Sequence, residues 1–151
     1  MSNKRFWHYT PLINLSKIIE SGHIKLSDAL VPAWEKPAVW FSTNPFWENT
    51  CLKVRKTLFG MPFILTKKQM VEKAGLGRIE VSPRAAPSSW EQFKKLSRIS
   101  NKHIKQMLFF ANQVQAKPSQ WYCNFSPVGS EFWITIEEWS EERQKWLAIT
   151  L

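Results

Sequence analysis

The sequence predicts an α+β fold in which helices flank a split sheet that is mixed or antiparallel. Short runs of aromatic and β-branched residues, typical of strands, alternate with stretches whose apolar residues recur every three or four positions, typical of helices. The chain has 151 residues and shows no internal repeat, low-complexity tract or linker. We therefore predict one domain over residues 1–151.

The first predicted unit joins a strand to a short helix. Residues 6–10 are rich in aromatic side chains that favour a strand. In a strand, His8 and Thr10 point to the same face, because side chains alternate with a period of two. Thr10 is predicted as the N-cap of the helix with Pro11 at its first position, and Gly22 is predicted at its left-handed end.

The rest of the chain continues this alternation of elements. Strands are predicted at residues 38–42, 63–66, 78–81, 120–125, 131–139 and 146–150, with 78–81 half-buried and the last strand at an edge. Helices are predicted at 46–57 after the cap Asn44, at 67–74, at 90–96 after the cap Ser89, and from Asn101 to a point before Pro118. Residues 23–37 are predicted to form a loop.

The chain is strongly basic, with 21 Lys and Arg against 12 Asp and Glu and a formal net charge of +9. Such a charge favours a polyanionic partner, because basic side chains on phosphates supply affinity that is independent of sequence. A merely soluble basic surface is the alternative. The best candidates for phosphate contact are cationic residues of the two predicted helices after residue 89: Lys94, Lys95, Arg98, Lys102 and Lys105.

Several classes of protein and site are disfavoured. No apolar run approaches the ~18 residues of a membrane span, and the N-terminus lacks the apolar core of a secretory signal, so we expect a cytoplasmic protein with no membrane partner. Cys51 and Cys123 are far apart and are expected to be free thiols. The sequence has no phosphate-loop or dinucleotide glycine motif and no cysteine pair at zinc spacing, so no metal is predicted.

Histidine chemistry offers one catalytic hypothesis. His8 together with His23 or His103 would serve as the base and acid of a ribonuclease, since imidazoles titrate near neutral pH. A second hypothesis has no catalysis: a basic module that binds nucleic acid through its helices and exposed aromatic residues.

A sharper signal is the order of three motifs. His8 and Thr10 precede a helix and a glycine in WHYTPLINLSKIIESGHI, Ser42 and Thr43 end a strand in VWFSTNPFWENT, and Glu131 opens an aromatic strand in SEFWITIEEW. In this order the chain resembles the ADP-ribosyltransferase superfamily, in the branch of diphtheria toxin and the poly(ADP-ribose) polymerases, which includes small toxin-type members from bacteria and phages. The resemblance covers roughly the first fifty and the last thirty residues.

The resemblance implies that NAD is the substrate and that the bond between its nicotinamide and ribose is broken. His8 would then hydrogen-bond a ribose hydroxyl, Thr10 would support His8 or the end of the strand, and the main chain of Tyr9 would pair with the nicotinamide amide. Ser42 would buttress the pocket. Phe41 or Trp47 would stack on the nicotinamide ring.

The resemblance also implies a catalytic carboxylate, which would stabilise positive charge on the ribose. Glu131 is the first candidate and Glu137, on the same face of the predicted strand, is the second. The basic charge favours RNA or DNA as the acceptor, although a protein acceptor stays open. The small size suits a toxin or defence effector, with an antitoxin protein as a possible partner. A related branch that transfers a 2′-phosphate from RNA to NAD would also suit the charge, but its pattern of several arginines is not evident.

Overall fold

An antiparallel sheet of seven strands forms the centre of the fold, which a computed structural model describes for residues 4–28 and 31–150. The described strands are β1 (Phe6–Pro11), β2 (His23–Ile24), β3 (Val39–Ser42), β4 (Val54–Lys56), β5 (Pro62–Ile64), β6 (Leu76–Val81), β7 (Ser88–Ser89), β8 (Trp121–Asn124), β9 (Val128–Gly129), β10 (Trp133–Ser140) and β11 (Lys145–Ala148). The described helices are α1 (Leu12–Ser21), α2 (Lys67–Lys73), α3 (Trp90–Leu96) and α4 (Asn101–Gln113).

The sheet runs in the order β11-β10-β6-β1-β3-β8-β7, and each neighbouring pair is antiparallel. Two short ribbons, β2–β9 and β4–β5, lie outside this sheet. The predicted α+β class is therefore confirmed, in its antiparallel form. The predicted edge strand near the C-terminus is also confirmed, because β11 ends the sheet.

The interior strand β6 is buried along its whole length, with β1 and β10 on either side. On one face, α1 packs so closely that a Cβ added to Gly77 would lie 2.5 Å from Cδ2 of Leu15. Ile79 has no exposed surface and packs in the same buried cluster as Leu15. On the other face, Met70 of α2 packs with Trp7.

The prediction that residues 78–81 form a half-buried strand is wrong, because both of its charged residues are buried in ion pairs. The Arg78 guanidinium donates through Nε to Glu137 at 2.9 Å, and Glu80 accepts from Arg5 at 2.6 Å. Arg78 is 7% exposed and Glu80 is 6% exposed. Pairing makes this burial tolerable, since an isolated charge in the interior would be costly.

The first strand and helix follow the prediction with one correction. Thr10 is not the N-cap of α1: the ladder with β6 continues to Pro11, opposite Leu76, so Thr10 stays within β1 and Pro11 becomes the cap. Gly22 ends α1 in the left-handed region at φ 75°, and its N–H donates to the carbonyl of Ile18 at 2.9 Å.

The helix predicted at residues 46–57 does not form. Local side chains satisfy the backbone instead: the carboxylate of Glu48 accepts from the N–H of Thr50, and Oδ1 of Asn44 accepts from the N–H of Phe46 at 2.9 Å. Such bonds compete with helical ones. A single 3₁₀ turn at Asn49–Cys51 is followed by β4, which pairs with β5.

The longer elements in the second half of the chain form where they were predicted, while the short strands β7 and β9 were not predicted. Ser89 caps α3 as predicted and also exchanges hydrogen bonds with Gln92, but the cap of α4 is Ser100 rather than Asn101. Glu131 lies in a 3₁₀ turn, Ser130–Phe132, so β10 begins only at Trp133, and its register shifts between Trp133 and Thr135.

Residues 23–37, predicted as a loop, contain the short strand β2, while residues 29 and 30 lie outside the described part of the chain. The first three residues of the chain, on which the prediction about a secretory signal partly rests, also lie outside it. None of the helices in the described ranges has the length and apolar character that crossing a membrane requires.

The central position of Ile79 gives a test of the fold. Replacing Ile79 by Ala should lower the free energy of unfolding by about 2–5 kcal/mol, because it opens a cavity in a fully buried site. Ile134 is a matched control on β10: it is 57% exposed, and its replacement by Ala should change stability by less than ~0.5 kcal/mol. Urea denaturation followed by tryptophan fluorescence measures both, and equal losses would contradict this placement of β6.

Candidate active site

A cavity of about 600 Å³ lies beside His8. Its walls come from β1, β3, β2, one side of α1 and two side chains of α4. Three lysines from different elements border it: Lys17 on α1, Lys25 after β2 and Lys53 before β4. Small-molecule sites generally have volumes of roughly 300–1,000 Å³ with a few convergent polar groups, and this cavity fits that description.

The ring of His8 is held in one tautomer at this cavity. Its Nδ1 lies 2.8 Å from the carbonyl oxygen of Trp40, and because a carbonyl only accepts, Nδ1 carries the hydrogen. Burial lowers the pKa of His8 below its ordinary value of 6.5, so the ring is neutral at pH 7. Its Nε2 therefore offers a lone pair, and within the described ranges no side chain or backbone group hydrogen-bonds it.

The hydrogen bond from His8 to the Trp40 carbonyl also replaces a backbone hydrogen bond between β1 and β3. Pairing between β1 and β3 occurs only at Trp7 opposite Ser42, and the same register would next place Tyr9 opposite Trp40. The Trp40 carbonyl instead accepts from the side chain of His8. The histidine thus occupies the point where β1 and β3 stop pairing.

Ser42 and Glu48 form a buried polar pair at the end of β3, and both border the cavity. Ser42 Oγ donates to Oε1 of Glu48 at 2.9 Å, while Oε2 accepts from Oγ1 of Thr50 at 2.6 Å and from its N–H at 3.1 Å. Glu48 is 6% exposed. Three donors therefore hold this carboxylate and fix the segment that follows β3.

The residues predicted to bind NAD do not all place their side chains at the cavity. Thr10 and Phe41 border the cavity with His8, and the centroids of the Phe41 and His8 rings are 6.0 Å apart. Tyr9 borders it too, but its ring packs against Trp47 at 5.2 Å, and its hydroxyl donates to the carbonyl of Asn44. Trp47 is buried in that second cluster, and it is not among the described residues that line the cavity.

The two predicted carboxylates have different surroundings. Glu137 forms the ion pair with Arg78, whose guanidinium also lies over the Trp7 ring, 4.9 Å from its centroid, and Glu137 is not among the described residues that line the cavity. Glu131 is exposed, and its carboxylate lies against Gly129, where an added Cβ would come within 2.3 Å of Oε2. Gly129 pairs with His23, which borders the cavity. Glu131 itself is not among the lining residues described.

The predicted phosphate-contacting residues are on the surface, and two of them lie on a helix that also lines the cavity. Lys94 is partly shielded and pairs with Glu91 at 2.9 Å. The other four are exposed: Lys95, Arg98, Lys102 and Lys105. Helix α4, which carries the last two, also supplies Met107 and Phe110 to the wall of the cavity.

Sequence reasoning missed Glu48 and the three lysines. The signal for Lys17 was present, since Asn14, Lys17 and Ser21 recur at helical spacing on α1 and all border the cavity. No comparable signal marked Glu48, which was assigned to a helix that does not form.

Comparisons of the chain with protein-family models, with curated proteins and with solved structures find no match. Within the described ranges, no group of three or more His, Cys, Asp and Glu side chains is placed to hold a metal ion. The geometry of the cavity is therefore the structural basis for a function of this protein.

The half-buried ring of His8 predicts how stability changes with pH. In the unfolded chain His8 has its ordinary pKa of 6.5, while burial lowers the pKa in the folded state. The unfolded state therefore binds the proton first, and stability present above pH 6.5 falls as the pH drops toward the lowered value. His8→Asn keeps an N–H for the Trp40 carbonyl but cannot titrate, so its stability should fall less.

Urea denaturation between pH 7.5 and pH 5, about one unit above and more than one unit below the ordinary histidine pKa, measures this difference. His23 and His103 are present in both proteins, so their contributions cancel. Parallel curves for the native protein and His8→Asn would contradict a half-buried, neutral His8.

Proposed function

We propose that the cavity beside His8 binds NAD and that the protein is an NAD-dependent mono-ADP-ribosyltransferase acting on nucleic acid. The observation that carries the proposal is the neutral His8 ring, which presents Nε2 in a cavity that Thr10, Phe41 and Ser42 also border. These residues come from the two N-terminal motifs on which the resemblance rests. The volume of about 600 Å³ lies within the range of cofactor sites.

The lining residues match the parts of NAD. Nε2 of His8 accepts a hydrogen bond from a ribose hydroxyl, and the Phe41 ring offers an apolar surface for nicotinamide. Lys17, Lys25 and Lys53 supply positive charge for the pyrophosphate. Glu48 keeps Ser42 in place, and with three donors already bound it acts as a positioning residue.

The reaction breaks the bond between C1′ of the ribose and the nicotinamide nitrogen, and the bonding electrons leave with nicotinamide. A nucleophilic nitrogen or oxygen of the acceptor then bonds to C1′ and loses its proton to solvent. Positive charge develops on the ribose between these events, so a carboxylate beside it lowers the barrier. The resemblance assigns this role to Glu131, which lies outside the cavity lining but contacts Gly129, the partner of the lining residue His23. Its carboxylate hydrogen-bonds no group of the described chain, whereas those of Glu48 and Glu137 are both engaged.

Nucleic acid is the acceptor that the charge favours. The formal net charge is +9, and the basic helix α4 shares a wall with the cavity. A phosphate backbone held by Lys102 and Lys105 would pass close to bound NAD. An enzyme of this size and activity fits a toxin or defence effector that a partner protein restrains.

A second candidate function has one observation in its favour: His8 and His23 border the same cavity. In a ribonuclease, His8 would take the proton of an RNA 2′-hydroxyl through Nε2, and His23 would protonate the leaving 5′-oxygen. The three lysines would then hold the phosphate. His103 has no part in this site, since its Nδ1 lies 2.7 Å from the buried carboxylate of Glu35.

Incubation with NAD labelled in its adenylate phosphate, together with RNA, DNA or a cell lysate, tests the transferase. Label should move to nucleic acid, and Glu131→Gln should lower the rate about 10²- to 10³-fold, the usual loss when one electrostatic contact to a transition state is removed. His8→Asn should weaken NAD binding. Glu142→Gln, a matched change at another exposed glutamate, should leave transfer unchanged.

Other results would select other functions. RNA cleavage without NAD that is lost in His23→Asn would establish the ribonuclease instead. Loss of transfer in Glu48→Gln but not in Glu131→Gln, with both variants folded by circular dichroism, would overturn the assignment of Glu131. Tight, salt-sensitive binding of nucleic acid without turnover would leave only a binding module.

A further inference from the structure

The ribbon β4–β5 and its connecting loop form a hairpin whose apolar tip is exposed. Leu58 is 102% exposed and Phe59 is 94% exposed, more than any other large apolar residue in the described ranges, and Met61 is 65% exposed. Apolar side chains grouped in this way mark an interaction site more often than single exposed ones do. None of these three side chains belongs to a buried cluster of the described residues.

The hairpin presents its tip in a defined conformation. The strands pair from Val54 opposite Ile64 to Lys56 opposite Pro62. At the tip, the N–H groups of Met61 and Gly60 both donate to Thr57, to its Oγ1 at 3.1 Å and to its carbonyl at 2.9 Å. Gly60 takes φ 81°, which a residue with a side chain rarely adopts.

The hairpin starts at the wall of the cavity. Lys53 borders the cavity and directly precedes β4, and its carbonyl accepts from the N–H of Leu65 at 2.9 Å. Leu65 is 2% exposed and packs in the buried cluster with Trp47 and Met70. The base of the hairpin is thus anchored in the core, and its tip projects from the segment that lines the cavity.

The charged residues in the sequence of the hairpin and its flanks are all basic. Residues 49–71 contain no Asp or Glu, and their basic residues are Lys53, Arg55, Lys56, Lys67 and Lys68. Basic side chains beside an apolar tip are complementary to a nucleic acid, whose bases are flanked by phosphates. Proteins that unstack bases commonly insert Phe, Leu or Met between base steps while nearby cations hold the backbone.

We propose that this hairpin engages the nucleic-acid acceptor: Leu58 and Phe59 enter the base stack, and Arg55 and Lys56 contact the phosphates on either side. The inference deepens the proposed function and rests on it, because a base or sugar inside a stacked duplex cannot enter the cavity beside His8 unless it is first displaced. The closeness of the hairpin to the cavity is what favours nucleic acid over a lipid surface as its partner.

DNA and RNA duplexes that contain 2-aminopurine test the proposal, because the fluorescence of this base rises when it is unstacked. The native protein should raise the fluorescence. Leu58→Ser with Phe59→Ser should abolish the rise and weaken binding roughly tenfold to a hundredfold, the usual range for losing an inserted side chain. Phe46→Ser is the matched control, since Phe46 is 74% exposed and lies outside the hairpin.

The salt dependence of binding tests the roles of Arg55 and Lys56 separately. Arg55→Gln with Lys56→Gln should reduce the slope of log binding constant against log salt by about 2, since each phosphate contact contributes about 0.9. An unchanged slope would overturn the assignment of these two residues to phosphate.

Nicotinamide release from NAD without nucleic acid separates this proposal from the previous one. The Leu58→Ser, Phe59→Ser protein should release nicotinamide at the native rate but should not label nucleic acid, because neither side chain borders the cavity. If no protein cleaves NAD while the fluorescence rise still depends on the tip, the transferase is wrong and the hairpin proposal stands.

A fluorescence rise that persists without Leu58 and Phe59 would overturn the hairpin proposal while leaving the transferase intact. Sedimentation with phosphatidylserine vesicles that depends on the tip, without any unstacking of the duplexes, would also overturn it and would assign the tip to a membrane. Dimerisation that is lost in the double variant, again without unstacking, would overturn it in favour of a second copy of the chain.

Discussion

The hydrogen bond from His8 Nδ1 to the Trp40 carbonyl is the interaction on which the candidate site depends. Backbone groups in a sheet must find partners, and a carbonyl that faced an apolar gap would cost free energy. Here a side chain supplies the partner, so β1 and β3 can stop pairing after Trp7 and Ser42 without leaving that carbonyl unsatisfied. The same bond fixes which nitrogen of the imidazole faces a ligand.

The two faces of β1 are used differently. All four residues from Trp7 to Thr10 border the cavity, but the rings of Trp7 and Tyr9 pack around Arg78. That guanidinium donates to the Tyr9 hydroxyl, to the Pro45 carbonyl and to Glu137, so β1, β10 and the segment after β3 are all tied to β6. A rigid opposite face gives the cavity a fixed wall, which preorganised catalysis requires.

Local signals in the sequence predicted the parts of the fold that local interactions determine. Gly22 ends α1 and Ser89 begins α3 because the bonds involved join residues within four positions. The full burial of β6 was not predictable in this way, since Arg78 finds its partner 59 residues away. The helix predicted at 46–57 failed where side chains of Asn44 and Glu48 satisfy the backbone.

In the candidate site, too, the sequence predicted the residues of local motifs but not the long-range contacts. Motifs near the N-terminus identified His8, Thr10 and Ser42, which the fold brings to one cavity. Met107 and Phe110 close that cavity from about a hundred positions further along the chain, and no local pattern reports such a long-range contact. The position of Glu131 depends on a turn and a register shift, which the alternation of a strand pattern cannot reveal.

The environment of the two cysteines makes the folded protein convenient for site-specific labelling. Burial raises the pKa of Cys51 to about 12, and Cys51 Sγ donates to the Tyr9 carbonyl at 3.8 Å. Cys123 has no exposed surface, and burial raises its pKa to about 12 as well. Because the thiolate is the reactive form, both native sulfurs react more slowly at neutral pH than a cysteine introduced on the surface. A maleimide dye in limited amount would therefore mark the chosen position ahead of the native thiols, of which Cys51 is partly exposed at the cavity.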